Sequence, residues 1–349
     1  MAYNTENKVK VAIIGASGYS GEELVRLLLK HPFVEISRIT SRQYAGQSIA
    51  EVFPRFADAG LSFCQPDVKD IAENCDAVFL ALPHGLATEF AIPLLEAGLK
   101  VIDVSADFRL KSTDKYLEYY NEEHPAPALL KTSVYGQPER YREQVKDASL
   151  IACPGCYPTS IVLPVAPLLR DGLVETTNII SSSMSGVTGA GRKVALPFIF
   201  PEANESVKPY GITGHRHLPE IEQELASEAG VEEIKINFTP HLVPINRGIH
   251  STIFLDAKPG VTEEDIEKSL NNAYDCERFV RILPKGKLAD TKHITLTNVC
   301  EVGFALDKHT GKVILSSAID NLTRGASGQA VQCFNLIFDF PEETAIKDV

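Results

Sequence analysis

Two cysteines three positions apart, Cys153 and Cys156, flank Pro154 and Gly155 in the stretch ACPGCYPTS at residues 152–160. Three chemistries fit such a pair: a dithiol redox centre, half of a zinc site, or a single nucleophile with an incidental neighbour. A structural zinc site needs four ligands, and no second CxxC occurs, since Cys64, Cys75, Cys276, Cys300 and Cys333 are isolated. A thioredoxin-type pair stays open, although that chemistry has no use for a dinucleotide loop. The residues just after the pair favour a nucleophile. Pro158 suits the first position of a helix, which puts Cys156 near an N-terminus whose dipole favours thiolate and whose amides can face an oxyanion. Cys153, at the end of a strand, then reads as a small buried hydrophobe.

A second motif complements the thiol. Gly15, Gly18 and Gly21 form GxxGxxG between the apolar run KVKVAIIG and the segment ASGYSGEELVRLLLKHP, whose Leu24, Leu27 and Leu28 recur with helical spacing. In that strand–turn–helix setting the loop, with Ser17, Tyr19 and Ser20, is expected to hold a diphosphate on the helix N-terminus. NAD sites usually carry an acid after the second strand, but Ser41 and Arg42 stand there instead. An arginine suits a 2′-phosphate, so NADP(H) is the expected cofactor. A thiolate and a nicotinamide together define a reaction class: an acyl group is captured as a thioester and reduced through a thiohemiacetal to an aldehyde, or the reverse.

These residues need elements to position them. VEISRIT, DAVFLAL, VIDVSA and SLIAC are short apolar runs suited to buried parallel strands, and LATEFAIPLLEAGLK reads as a helix ending at Gly98. The reading is an α/β fold: an amino-terminal doubly wound Rossmann-type parallel sheet, then an α+β domain with a mixed, largely antiparallel sheet. After a helix over TSIVLPVAPLLRDG, with a kink expected at Pro164, the strands are NIISSSMSG, EIKINFTPHLVPI, IHSTIFLDA, ITLTNVCEVGFALD and KVILSSAID. DKHTGK is the last hairpin turn, helices are expected near 217–228 and 262–274, and the tail from NLTRGASG onward is amphipathic. The expected domains are 1–156 with 320–349 for NADP, and 157–319 for substrate and oligomerisation.

At 349 residues, 44% hydrophobic and 23% charged, the chain has core material for two domains. Its net charge of −12 argues against nucleic acid, no apolar run is long enough to span a membrane, and the amino-terminal MAYNTENKVK lacks the apolar core of a secretory signal. Seven cysteines without such a signal fit a reducing cytoplasm. Proton transfer calls for a histidine. His215 and His217 in GHRHLPEI are equal candidates by sequence, and His241 and His250 stay open. Cations for a phosphate and a carboxylate could come from Arg109, Arg192, Lys193, Lys208 and Arg216, all in loops or at element ends. No metal is expected.

CPGCYPT closely resembles the active-site signature of the N-acetyl-γ-glutamyl-phosphate reductases, semialdehyde dehydrogenases of arginine biosynthesis. GASGYSGEEL resembles their cofactor loop, ALPHG and DVSADFRL their cofactor-domain segments, GHRHLPEIEQEL their histidine helix, and DNLTRGASGQAVQ their closing segment. The resemblance implies Cys156 as nucleophile, His217 as acid/base, Pro83 and His84 at the cofactor, and Asn321 touching the nicotinamide. It implies a small acyl phosphate or semialdehyde and inorganic phosphate as substrates, and a homo-oligomer, dimer or tetramer. Members often carry Ala or Gly where this chain has Ser160, and a residue other than cysteine at Cys153. Rival readings are a sister reductase of a carrier-bound acyl phosphate, an aspartate-semialdehyde dehydrogenase, a thiol-disulfide protein and a non-catalytic cofactor binder.

Overall fold

The computed structural model describes residues 8–347; the polar start MAYNTEN, read above as lacking a signal core, lies outside them. The chain divides into two compact units: residues 8–111, 124–154 and 326–347, and residues 112–123 with 155–325. This differs from the expected boundaries in three places. Gly155 and Cys156 group with the second unit, residues 320–325 stay with it, and so does the helix Thr113–Tyr120.

The first unit holds a seven-stranded, wholly parallel sheet: β1 (Val9–Ile14), β2 (Val34–Thr40), β3 (Phe63–Cys64), β4 (Ala77–Leu80), β5 (Lys100–Asp103), β6 (Val134–Tyr135) and β7 (Leu150–Ala152), in the order β3-β2-β1-β4-β5-β7-β6. All four residues of β4 are buried, as continuous apolar runs require when helices cover both faces. The order reverses between β1 and β4, which opens the ligand crevice of doubly wound folds at their carboxyl ends. Three helices between β5 and β7 in the sequence, Thr113–Tyr120, Pro127–Thr132 and Pro138–Asp147, were not foreseen. The closing helix Gly328–Ile337 returns to this unit, where Asn335 bonds His31 at 2.9 Å.

The second unit is built on a seven-stranded mixed sheet: β8 (Ile179–Ser185), β9 (Lys208–Pro209), β10 (Ile236–Leu242), β11 (Ile249–Asp256), β12 (Val280–Ile282), β13 (Cys300–Asp307) and β14 (Lys312–Ile319), ordered β12-β13-β14-β11-β8-β10-β9. β10 pairs β8 in parallel and β12 pairs β13 in parallel, whereas the other pairs are antiparallel. Burial alternates along β11, so one face meets the core and the other stays partly open. ITLT is not strand: Asp290 caps a short helix, Thr291–Ile294, and β13 begins only at Cys300.

The buried helix Cys156–Arg170 lies on the core face of this sheet and runs on through Pro164 and Pro167. Each proline removes the amide that would have bonded the carbonyl four residues back. Two hydroxyls replace them: Ser317 Oγ donates to Ser160 O at 2.6 Å, and Tyr274 Oη donates to Leu163 O at 2.6 Å. A chain of buried seryl hydroxyls continues from Ser160 through Ser251 to Ser183, at 2.8 and 2.7 Å. The Ser160 hydroxyl thus ties the first turns of this helix to the sheet, a contact that alanine or glycine could not make.

Candidate active site

In the first unit the glycine loop follows β1 and meets the loop after β4. Gly15 has φ +86°, and a Cβ there would stand 2.3 Å from Ala81 O; one at Gly21 would stand 2.4 Å from Gly15 O. No heavier residue fits either position. Gly18 has no such crowding, its nearest neighbour being 3.6 Å away, and it caps the helix Tyr19–Leu28 without a side-chain acceptor. That division of roles suits a diphosphate: a tight turn, an open face over the helix N-terminus, and close helix–strand packing.

Ser17 and Ser41 join the loops after β1 and β2 through their hydroxyls at 2.9 Å. Arg42 stands on the rim, largely exposed, loosely paired with the equally exposed Glu89 at 3.3 Å. An exposed pair of this kind contributes little and can be exchanged for a phosphate. Pro83 and His84 follow β4. His84 Nδ1 lies 2.7 Å from Asp107, whose carboxylate also accepts the amides of Gly85 and Ala87 at 2.8 Å each. Burial works to raise the Asp107 carboxyl, but His84 and the two amides outweigh it and hold the group below its ordinary range. The ALPHG loop is therefore pinned by one carboxylate.

Two expected ligands hydrogen-bond within their own units. Arg109 is buried, with Nε donating to Cys153 O at 2.7 Å and Nη2 to Val104 O at 3.1 Å, bonds that brace strand ends. Asn321 lies in the second unit, where its Oδ1 accepts the Gly248 amide at 2.8 Å and its Nδ2 donates to Thr188 at 3.0 Å. Its amide holds two loops of this unit together. The two cysteines also part company. Cys153 is fully buried in the first unit, and burial, reinforced by Asp103, pushes its thiol far above the ordinary range. A thiol held protonated is a poor redox partner.

In the second unit Cys156 is the first residue of its helix and partly exposed, with Gly155 as the cap. The next residue, Tyr157, organises the surroundings. Its ring lies edge-on to His215, His217 and Phe238, with centroids 5.5, 5.9 and 5.1 Å away, and its hydroxyl meets that of Tyr210 at 2.9 Å. Burial, and then the neighbouring Cys156, push the Tyr210 hydroxyl up to about 12 although Tyr157 bonds it, so both phenols stay protonated near neutrality.

The same geometry narrows the four histidines. On β10, Phe238 faces the core, so His241 points to the opposite face; on β11, Ser251 bonds Ser160 and His250 points away to Ser316. His215 is pushed down to about 4 by burial and then by Arg216, and its Nδ1 accepts the His217 amide at 3.1 Å. A neutral ring with that nitrogen occupied is unsuited to carrying a proton back and forth. His217, at the start of the helix Leu218–Ala229, is left as the candidate acid/base.

Arg192, Lys193, Lys208 and Arg216 all lie in this unit; the first two and Arg216 are exposed, with the Arg216 guanidinium 5.9 Å from the Tyr120 ring centre. One feature invisible in the sequence is Gly325: a Cβ there would stand 2.6 Å from Cys156 Cβ. Gly325→Ala is expected to displace the thiol and cut kcat by about 100-fold, the order of cost for an ångström-scale misplacement. Cofactor affinity should persist, which fluorescence titration with NADPH would check. Among the described residues no three His, Cys, Asp or Glu gather as a metal site, and no helix is long and apolar enough to cross a membrane.

Comparison with known proteins agrees with this layout. Residues 10–148 match the family model for the semialdehyde dehydrogenase NAD binding domain, and residues 156–321 match that for the semialdehyde dehydrogenase dimerisation domain. N-acetyl-gamma-glutamyl-phosphate reductase of Akkermansia muciniphila is 51% identical over 96% of this chain and 97% of its own length. Its namesake from Desulforapulum autotrophicum is 46% identical over 97% and 98%. Among solved structures, aspartate semialdehyde dehydrogenase II from Vibrio cholerae superposes with a TM-score of 0.73 at 18% identity, covering 95% of this chain and 99% of that one. Aspartate semialdehyde dehydrogenase with NADP from Candida albicans gives 0.69 at 19% over the same shares. Such identities speak for the fold alone, whereas near-full-length identity around one half speaks for kinship: this chain belongs to the N-acetyl-gamma-glutamyl-phosphate reductases, within the semialdehyde dehydrogenases.

Proposed function

We propose that this protein reduces N-acetyl-γ-glutamyl phosphate to N-acetylglutamate 5-semialdehyde, releasing phosphate and using NADPH. The observation that carries the reading is a partly exposed thiol on the first residue of a buried helix, with the His217 ring against the adjacent Tyr157. The Cys156 thiolate attacks the acyl carbon, the carbon–oxygen bond to phosphate breaks, and a thioester remains. When bound, NADPH supplies the hydride that takes this thioester to the aldehyde level. His217 gives the proton that neutralises the oxygen of the thiohemiacetal and takes it back as the carbon–sulfur bond breaks, restoring the thiolate.

For the cofactor the reading is NADP(H), supported by Arg42 and by the want of an acid beside Ser41. Arg42→Ala is expected to weaken NADP by roughly 10- to 100-fold, the worth of a charge-assisted bond, and to leave NAD nearly unchanged. Equal kcat/KM for NADH and NADPH in the wild type would overturn this assignment. Arg192, Lys193, Lys208 and Arg216 are the cations proposed for the substrate's phosphate and carboxylate. Val194, Leu196 and Phe200 are solvent-exposed, as is Met184 on the open face of β8. We assign these exposed apolar side chains to contact with a second copy of the chain, in keeping with the dimerisation-domain match. The activity itself is tested by measuring NADP reduction with N-acetylglutamate semialdehyde and with aspartate semialdehyde, each with and without phosphate. Turnover with the first substrate, dependent on phosphate, supports the proposal; a preference for the second contradicts it.

A further inference from the structure

We infer that Glu220 is a positioning residue that caps the nucleophile's helix from outside and so sets Cys156 against His217; this rests on the roles proposed for those two residues. A helix N-terminus is commonly closed by an acid at its third position, which bonds back to the amide of the capping residue. The helix Cys156–Arg170 cannot do this for itself. Its cap is Gly155, which has no side chain, and its third residue is Pro158. The missing bond comes from elsewhere: Glu220 Oε1 accepts the Gly155 amide at 2.8 Å.

Glu220 is itself the third residue of the helix Leu218–Ala229, where it would ordinarily turn back to the amide of His217. That amide is given to His215 Nδ1 instead, at 3.1 Å. The carboxylate is thereby directed to the neighbouring helix. It is 1% exposed and sits at the N-termini of two helices. Through this bond, the residue just before the thiol is held by a carboxylate three positions beyond the imidazole.

The test uses the full-length enzyme with Glu220→Ala and Glu220→Gln, reading kcat and KM for phosphate-dependent semialdehyde oxidation, hydrogen exchange at the Gly155 amide, and thermal unfolding. Glu220→Ala should lower kcat by about 100-fold, with KM for NADP unchanged and the Gly155 amide exchanging freely. Glu220→Gln keeps an oxygen that can accept, at roughly half the strength of a charged acceptor, so it should restore protection of that amide and most of kcat. Wild-type turnover in Glu220→Ala would overturn the inference. So would Glu220→Gln that is as slow as Glu220→Ala while its Gly155 amide stays protected, because charge and not position would then matter. If the alanine variant does not fold, free exchange at Gly155 in the glutamine variant overturns the bridge on its own. Retained turnover in Cys156→Ser would instead sink the nucleophile reading and leave the exchange result untouched.

Discussion

Cys156→Ser is expected to abolish phosphate-dependent turnover, with a loss of at least about 10⁴-fold, the scale seen when an enzyme loses its covalent nucleophile. Serine keeps the shape of the helix start, but its hydroxyl is ionised far less than a thiol, and the helix dipole cannot close that gap. Cys153→Ala is the control. Its sulfur is buried among strand ends of the first unit and held protonated, so removal should cost about 1 kcal/mol of stability and leave kcat near wild type. A dithiol mechanism predicts equal loss in both variants. Steady-state rates of the two purified proteins separate the accounts.

His217→Asn is expected to lower kcat by roughly 10²- to 10⁴-fold, the usual worth of a positioned acid/base, while NADPH still binds. Asparagine retains polarity and approximate size but cannot exchange a proton near neutral pH. The pH profile adds a second check. His215 lies only 5.0 Å away ring to ring, yet burial and Arg216 push it down to about 4, so it stays neutral across any assay range above pH 5 or so. A rate limb near neutrality in the wild type therefore cannot come from His215, and it should vanish in His217→Asn. Persistence of that limb in the variant would reassign the proton carrier.

The sequence made the first unit legible because its signals are local. Apolar runs of strand length and the glycines at 15, 18 and 21 each act within a few residues. In the second unit the helix after the thiol was also foreseen, but it starts at Cys156, two residues before Pro158. The longer alternating strands of the second unit were equally readable, apart from ITLT, where an Asp290 cap overrode the β-branched pattern, while the short β9 and β12 were not foreseen. Residues whose roles depend on distant partners were not readable. Nothing near Arg109 in the sequence discloses that its guanidinium bonds the Cys153 and Val104 carbonyls. Nor does anything local disclose that the Asn321 amide joins Gly248 and Thr188. Gly325 and Glu220 carry no sequence mark of their closeness to the thiol, because 169 and 64 positions separate them from Cys156 (325 − 156 and 220 − 156). Between His215 and His217 spacing gave no choice and only the resemblance pointed to His217; the burial of His215 and its bond to the His217 amide are not disclosed by spacing.

A covalent acyl group on one sulfur is the most direct consequence of this chemistry. Enzyme mixed with N-acetyl-γ-glutamyl phosphate without NADPH, quenched in acid and digested, can be mapped by mass spectrometry. The prediction is one N-acetylglutamyl group on the peptide containing Cys156, carried by its side chain and removed by hydroxylamine. Acylation of Cys153 or of any other residue, or no acylation in enzyme that turns over normally, would contradict it.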